Sequence, residues 1–204
     1  MKVTAIKYAD SYFFENWVTP DGDRNKRLDI IFRVFCIKHK DKIILVDAGC
    51  ETMPDFEMSN FSGSVNALKE NGISPEDVTD VIITHAHHDH IECVKYFTNA
   101  TVHIQRHEYE TGKEYIPQNF KLNIFDEGYT LYDCIEIIRT GGHTPGSSVV
   151  EFTVGEKKYV IVGDECYLRR YFEINSQKML NENSMNFYKK YSDDKYTLLF
   201  CHDE

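Results

Sequence analysis

The segment Thr84-His85-Ala86-His87-His88-Asp89-His90 follows directly on the apolar run Val81-Ile82-Ile83 and holds the residues whose spacing can do chemistry. Imidazole nitrogens and carboxylate oxygens are the donors that bind divalent first-row ions. In an extended or tightly turned segment His85 and His87 project to one side and can serve one ion, while Asp89 and His90 fall past the turn and reach a second. The run reads as half of a two-metal site. His88, lying between ligands, is expected to point away from it. The competing reading, a polar surface loop rich in histidine, weakens as the rest of the chain is read.

Three later residues share one placement, a donor at the C-terminal end of an apolar strand. His143 follows Ile137-Ile138-Arg139-Thr140-Gly141-Gly142 and precedes Thr144-Pro145-Gly146-Ser147, where flanking glycines would let the backbone approach an ion closely. Asp164 follows Tyr159-Val160-Ile161-Val162-Gly163, and His202 follows Leu198-Leu199-Phe200-Cys201. Each alone is an ordinary turn or cap residue. Together with the first run they supply enough donors for two ions, His85, His87 and His143 on one, Asp89, His90 and His202 on the other, and Asp164 between. His39, His103 and His107 lack such a context and receive no role.

The elements that must position these groups follow from periodicity. Residues 2–8, 31–38 and 42–47 read as strands, the last two forming a hairpin about His39-Lys40-Asp41. Strands are expected at 81–84, 101–105, 121–125, 134–139, 148–154, 158–163 and 197–200, with 148–154 and 158–163 joined at Gly155-Glu156. Helices are expected at 63–71, 91–98, 106–114 and 176–191, with a capped turn at Ser74-Pro75-Glu76-Asp77. Strand-rich halves with helices between and after them suggest two packed sheets covered by helices on their outer faces, an α+β arrangement. Phe13, Phe14 and Trp17, beside the polar loop 19–27, read first as packing and second as an apolar substrate mouth.

Composition narrows the function classes. The chain has 204 residues, 42% hydrophobic and 27% charged, enough for one domain with a large core, and a single domain over 1–204 is expected. No apolar run approaches a bilayer span, and the first residues alternate like a strand rather than forming a signal peptide, so no membrane partner and a cytoplasmic location are expected. A net charge of −10 disfavours a nucleic-acid surface, which rests on Lys and Arg neutralising phosphates. A small-molecule substrate is the expected partner, and nothing addresses oligomeric state. The six cysteines, scattered among apolar neighbours, read as reduced, buried thiols.

The chain resembles the metallo-β-lactamase-fold superfamily, from Leu45-Val46-Asp47-Ala48-Gly49 through Thr84 to His90, Gly142-His143-Thr144-Pro145-Gly146-Ser147 and Gly163-Asp164, to His202. The resemblance implies a four-layer αββα sandwich of two mixed sheets with metals along one edge. It implies His85, His87 and His143 as ligands of the first metal, Asp89, His90 and His202 of the second, Asp164 as bridge, and Asp47 fixing the ligand loop. Asp164-Glu165-Cys166-Tyr167 looks like the bridging aspartate and active-site tyrosine of N-acyl-homoserine lactonases. The chain departs from the family at Ile91-Glu92-Cys93, where small glycine-rich residues are common. It closes shortly after His202, so no C-terminal helical substrate domain is expected.

The chemistry so implied is hydrolysis of a lactone, ester or thioester by a hydroxide shared between two divalent ions, zinc first and iron or manganese as alternatives. Asp89 would orient the hydroxide and carry its proton, and Tyr167 would donate to the developing oxyanion. Two other readings stay open, an iron-dependent oxidoreductase of the same fold and a phosphodiesterase acting on a small phosphate ester.

Overall fold

The computed structural model describes residues 1–54 and 56–203. The chain runs β1 (Lys2–Phe14), α1 (Glu15–Val18), β2 (Arg27–His39), β3 (Lys42–Val46), α2 (Ser64–Glu70), β4 (Asp80–Ile83), α3 (His88–Ile91), β5 (Thr101–Gln105), α4 (Arg106–Gly112) and β6 (Lys121–Phe125). It continues through β7 (Gly128–Leu131), β8 (Ile135–Arg139), β9 (Ser148–Val154), β10 (Lys157–Ile161), α5 (Phe172–Ser176), α6 (Glu182–Tyr191) and β11 (Tyr196–Leu199). Short 3-10 turns cover Pro75–Asp77, Glu92–Tyr96, Lys113–Tyr115 and Arg169–Tyr171.

The strands form two mixed sheets, one ordered β1-β2-β3-β4-β5-β6 and the other β11-β10-β9-β8-β7. Period-two alternation divides the side chains of the first sheet between two cores. Leu45, Val81, Ile83, Val102 and Ile104 pack on the helical side with Val65, Leu68, Val94 and Phe97. Ile44, Val46 and Ile82 meet Ile135, Ile137, Val150 and Ile161 of the second sheet. That sheet turns Val149 and Val160 outward onto Phe187, Tyr188 and Tyr191 of α6. The result is the expected helix–sheet–sheet–helix sandwich, an α+β fold. Among the described residues no helix is long and apolar enough to cross a membrane, and the six cysteines are unpaired, with Cys134 alone not buried.

Topology brings the donors to one rim. In the first sheet β3 and β4 are parallel, so Asp47 and Thr84 emerge side by side at their C-terminal ends. In the second, β10 and β11 are parallel while β9 runs against them, so Asp164, His202 and the loop preceding β9 share an end. Two backbone bonds stitch the rims together, Ser148 N–H to Thr84 O at 2.9 Å and Ile31 N–H to His202 O at 3.2 Å.

Four elements differ from expectation. β1 extends to Phe14 because it pairs along its length with a β2 that begins at Arg27, absorbing a register shift between Lys7 and Ala9 that masks the alternation. The short edge strand β7 lacks a sequence signal of its own and exists by pairing with β8. The helix expected at 176–191 begins only at Glu182, as α6, because the Asn181 side chain accepts the Ser184 N–H and caps a start there, while α5 lies before it. The helix expected from 91 starts at His88, so Asp89 and His90 sit on its first turn.

Candidate metal centre

The seven predicted donors come together as two adjoining clusters. His85, His87, His143 and Asp164 each present one donor atom, as do Asp89, His90 and His202, with the atoms of each cluster within 4.8 Å of one another. In the first, His87 Nδ1 lies 3.0 Å from both His85 Nε2 and His143 Nε2. In the second, Asp89 Oδ2 lies 3.3 Å from His90 Nε2 and 3.7 Å from His202 Nε2.

Asp164 divides its carboxylate between them. Oδ2 faces His85 Nε2 at 3.6 Å and His143 Nε2 at 3.7 Å, while Oδ1 faces His90 Nε2 at 3.2 Å and His202 Nε2 at 3.1 Å. Burial pushes the Asp164 carboxyl up, and the surrounding imidazoles of His90, His202 and His85 more than reverse this, holding it well below the usual carboxylate range. Burial drives His85 well below the usual imidazole range. His90 suffers the same burial, but Asp164, Asp89 and Asp47 raise it well above that range.

The clusters fit divalent ions on a structural ground. His90 Nε2, His202 Nε2 and Asp164 Oδ1 are buried without a hydrogen bond among the described residues. Three such atoms converging in one interior spot are costly unless a cation compensates them, and the nitrogen and carboxylate donors are those such ions take.

A layer of buried hydrogen bonds orients the donors. Asp47 accepts the Thr84 N–H at 2.8 Å and lies 2.8 Å from His90 Nδ1, turning the far nitrogen of that ring into the centre. His202 Nδ1 donates to Ile31 O at 3.0 Å with the same effect. Two carboxylates that sequence reasoning did not single out hold the His143 loop. Glu108, on α4, accepts the Ala86 N–H at 2.8 Å through Oε2, and through Oε1 the Thr144 hydroxyl at 2.7 Å and the Gly146 N–H at 2.8 Å. Glu165 Oε1 accepts the Thr140 and Ser147 hydroxyls, each at 2.5 Å, and the Gly142 N–H at 3.2 Å. These two acids take up the space the glycines provide: a Cβ at Gly142 would stand 2.2 Å from Glu165 Oε2, and one at Gly146 2.8 Å from Glu108 Oε1. The close approach expected for an ion is made by supporting side chains. A charged residue on a helix and a residue beside a ligand carry no pattern that announces such roles.

A cavity of about 520 Å³ opens onto the clusters, reaching His87, Asp89 and Asp164 at its floor and lined above by Phe13, Trp17 and Phe56. Phe13 serves both as packing and as wall: it is buried, 5.2 Å from the Tyr167 ring and 5.4 Å from His202. Tyr167 lines the cavity between the rings of His143 at 5.7 Å and His202 at 5.8 Å, and burial raises its hydroxyl far above the ordinary range, so it stays protonated. His88 belongs to neither donor cluster, its nitrogens facing Thr52 O and the Tyr115 hydroxyl, yet its side chain lines the cavity wall.

Residues 33–170 match the metallo-beta-lactamase superfamily, and the chain belongs to that family as a metal-dependent hydrolase. It is similar to an N-acyl homoserine lactonase of Bacillus sp., 29% identical in an alignment 173 positions long that covers 72% of this chain and 68% of the relative. An N-acyl homoserine lactone hydrolase, solved with the product N-hexanoyl-L-homoserine at its catalytic metal centre, shares the fold at a TM-score of 0.85 and 22% identity, over 99% of this chain and 93% of that one. A dizinc quorum-quenching lactonase shares it at 0.77 and 21% identity, over 98% and 87%.

Proposed function

We propose that the chain opens the lactone ring of a small acylated substrate with two divalent ions, zinc foremost. His85, His87 and His143 would hold one ion and Asp89, His90 and His202 the other, with Asp164 facing both sets. The observation that carries this reading is the divided carboxylate of Asp164, each oxygen facing a separate cluster. When bound, such ions supply Lewis acidity and lower the pKa of a water from about 15.7 towards about 7.

The side chains supply the remainder. Asp89, lining the cavity floor, orients the attacking water, accepts its proton and delivers it to the departing alkoxide. Tyr167, kept protonated, donates to the oxyanion that develops on the carbonyl oxygen. Phe13, Trp17 and Phe56 exclude water and favour an apolar acyl tail. Among the described residues no Lys or Arg lines this cavity, so its walls bring no fixed cation to a phosphate ester. The activity of its relatives on N-acyl homoserine lactones supports the same class.

The test is metal analysis joined to turnover of a panel of lactones, esters and thioesters. Two zinc ions per chain with ring opening of acyl lactones is the expected result. A chain holding iron that consumes oxygen and leaves every lactone intact would overturn the reading.

A further inference from the structure

His88 and the departure at Ile91-Glu92-Cys93 acquire a use once the cavity wall is traced to its root. The 3-10 turn Glu92–Tyr96 follows directly on α3, and His88, Glu92 and Tyr96 all reach the stretch that follows Cys50. All three grip the same dipeptide. His88 Nε2 donates to the Thr52 carbonyl at 2.8 Å, with Nδ1 placed 3.2 Å from the Tyr115 hydroxyl. Glu92 Oε2 accepts the Glu51 N–H at 2.8 Å. The Tyr96 hydroxyl donates to Glu51 Oε2 at 2.6 Å. Lys95 pairs with the other oxygen of Glu92 and keeps that carboxylate in place.

Beyond Thr52 the chain enters the wall of the cavity with Met53, Pro54 and Phe56. None of these lies in a helix or strand, and the segment is tied down on either side: Ser11 donates to Glu57 O at 2.7 Å and Asp10 and Ser59 form a backbone bridge beyond Phe56, while His88, Glu92 and Tyr96 hold Glu51 and Thr52 before it. Phe56 meets Phe13 and Trp17 across the mouth, each at 6.1 Å between ring centroids. Releasing Glu51 and Thr52 would therefore leave the wall held from the β1 side alone, free to shift at its Met53 end.

We infer that His88, Glu92 and Tyr96 form a positioning comb that sets the width of the apolar cavity and with it the acyl-chain length the enzyme selects. This rests on the reading of the cavity as the acyl pocket. Their hydrogen bonds go to Glu51 and Thr52, and they act through the wall residues Met53, Pro54 and Phe56.

The test uses the zinc-loaded chain and two variants, Glu92→Leu/Tyr96→Phe and Tyr96→Phe alone. Trp17 is the chain's one tryptophan, half exposed at the mouth, and its fluorescence reports the wall without any substrate. Loosening the comb should shift its emission to the red and raise its quenching by acrylamide, more in the double variant than in the single. The preference in kcat/KM between N-decanoyl and N-hexanoyl homoserine lactone should fall by roughly tenfold, with the change in KM rather than kcat and with two metals retained. Unchanged Trp17 quenching in the folded, metal-loaded variants would overturn the comb, as would an unchanged chain-length preference. If the double variant does not fold, Tyr96→Phe decides, since that ring is 38% exposed and remote from the donors. If the wild-type chain opens neither lactone, the functional reading fails, and Trp17 quenching still decides whether the comb holds the wall.

Discussion

Asp164 Oδ1 lies 3.1 Å from His202 Nε2, and both atoms are buried without a hydrogen bond among the described residues. Two groups that polar, aimed at each other and left unbonded, mark the place where a cation belongs.

Metal removal should therefore register as lost stability. Ligand free at a thousand times its Kd stabilises a folded chain by about 4 kcal/mol. For a chain of this length that corresponds to a fall in Tm on the order of 10 °C after exhaustive chelation. Differential scanning fluorimetry with and without added zinc checks it, and an identical Tm for stripped and loaded protein would contradict the assignment.

Replacing Asp164 by Asn keeps the shape and removes the charge shared by the clusters. Activity on an acyl lactone should fall by at least about a hundredfold, beyond the cost of losing an outer-shell partner. Metal content should drop below two per chain, as counted by inductively coupled plasma mass spectrometry. His202→Ala should empty the second site while leaving the first, a distinction that titration with cobalt and visible spectroscopy can read.

Glu108 ties the backbone between His85 and His87 to the loop after His143. Glutamine there can satisfy one of these loops and must turn an amide NH2 towards a donor of the other. The expected effect of Glu108→Gln is a loss of metal affinity of roughly 10- to 100-fold in a chain that still folds. A competition titration against a chelator measures it.

Glu15 provides a pH signature away from the metals. Hydrogen bonds from Lys26, the Tyr171 hydroxyl and the Asp23 N–H lower its pKa from 4.5 to about 2. A carboxyl depressed in the folded chain stabilises it above the unfolded pKa, and that contribution disappears as pH falls from 4.5 through about 2. Urea midpoints of wild type and Glu15→Gln should differ near neutrality and converge in acid. A constant difference across that window would show that these bonds do not set the titration.

The seven residues that converge on the rim could be picked out from the sequence because each stands at or beyond the end of an apolar strand, and alternation within strands is a local signal. The same signal disclosed two sheets with outer helices. It did not disclose β7, the length of β1, or the break between α5 and α6, because pairing partners and a single capping bond decided these. Nor did it reveal that Glu108 and Glu165 support the His143 loop, or that His88 grips Thr52. Such bonds join residues remote in the chain, follow no period, and exist only after the sheets have packed. Residue type and spacing thus determined which groups could meet a metal. Tertiary structure decided which oxygen of Asp164 faces which cluster, which buried carboxylates hold the loops, and how wide the cavity stands, because each depends on distances that only the assembled rim defines.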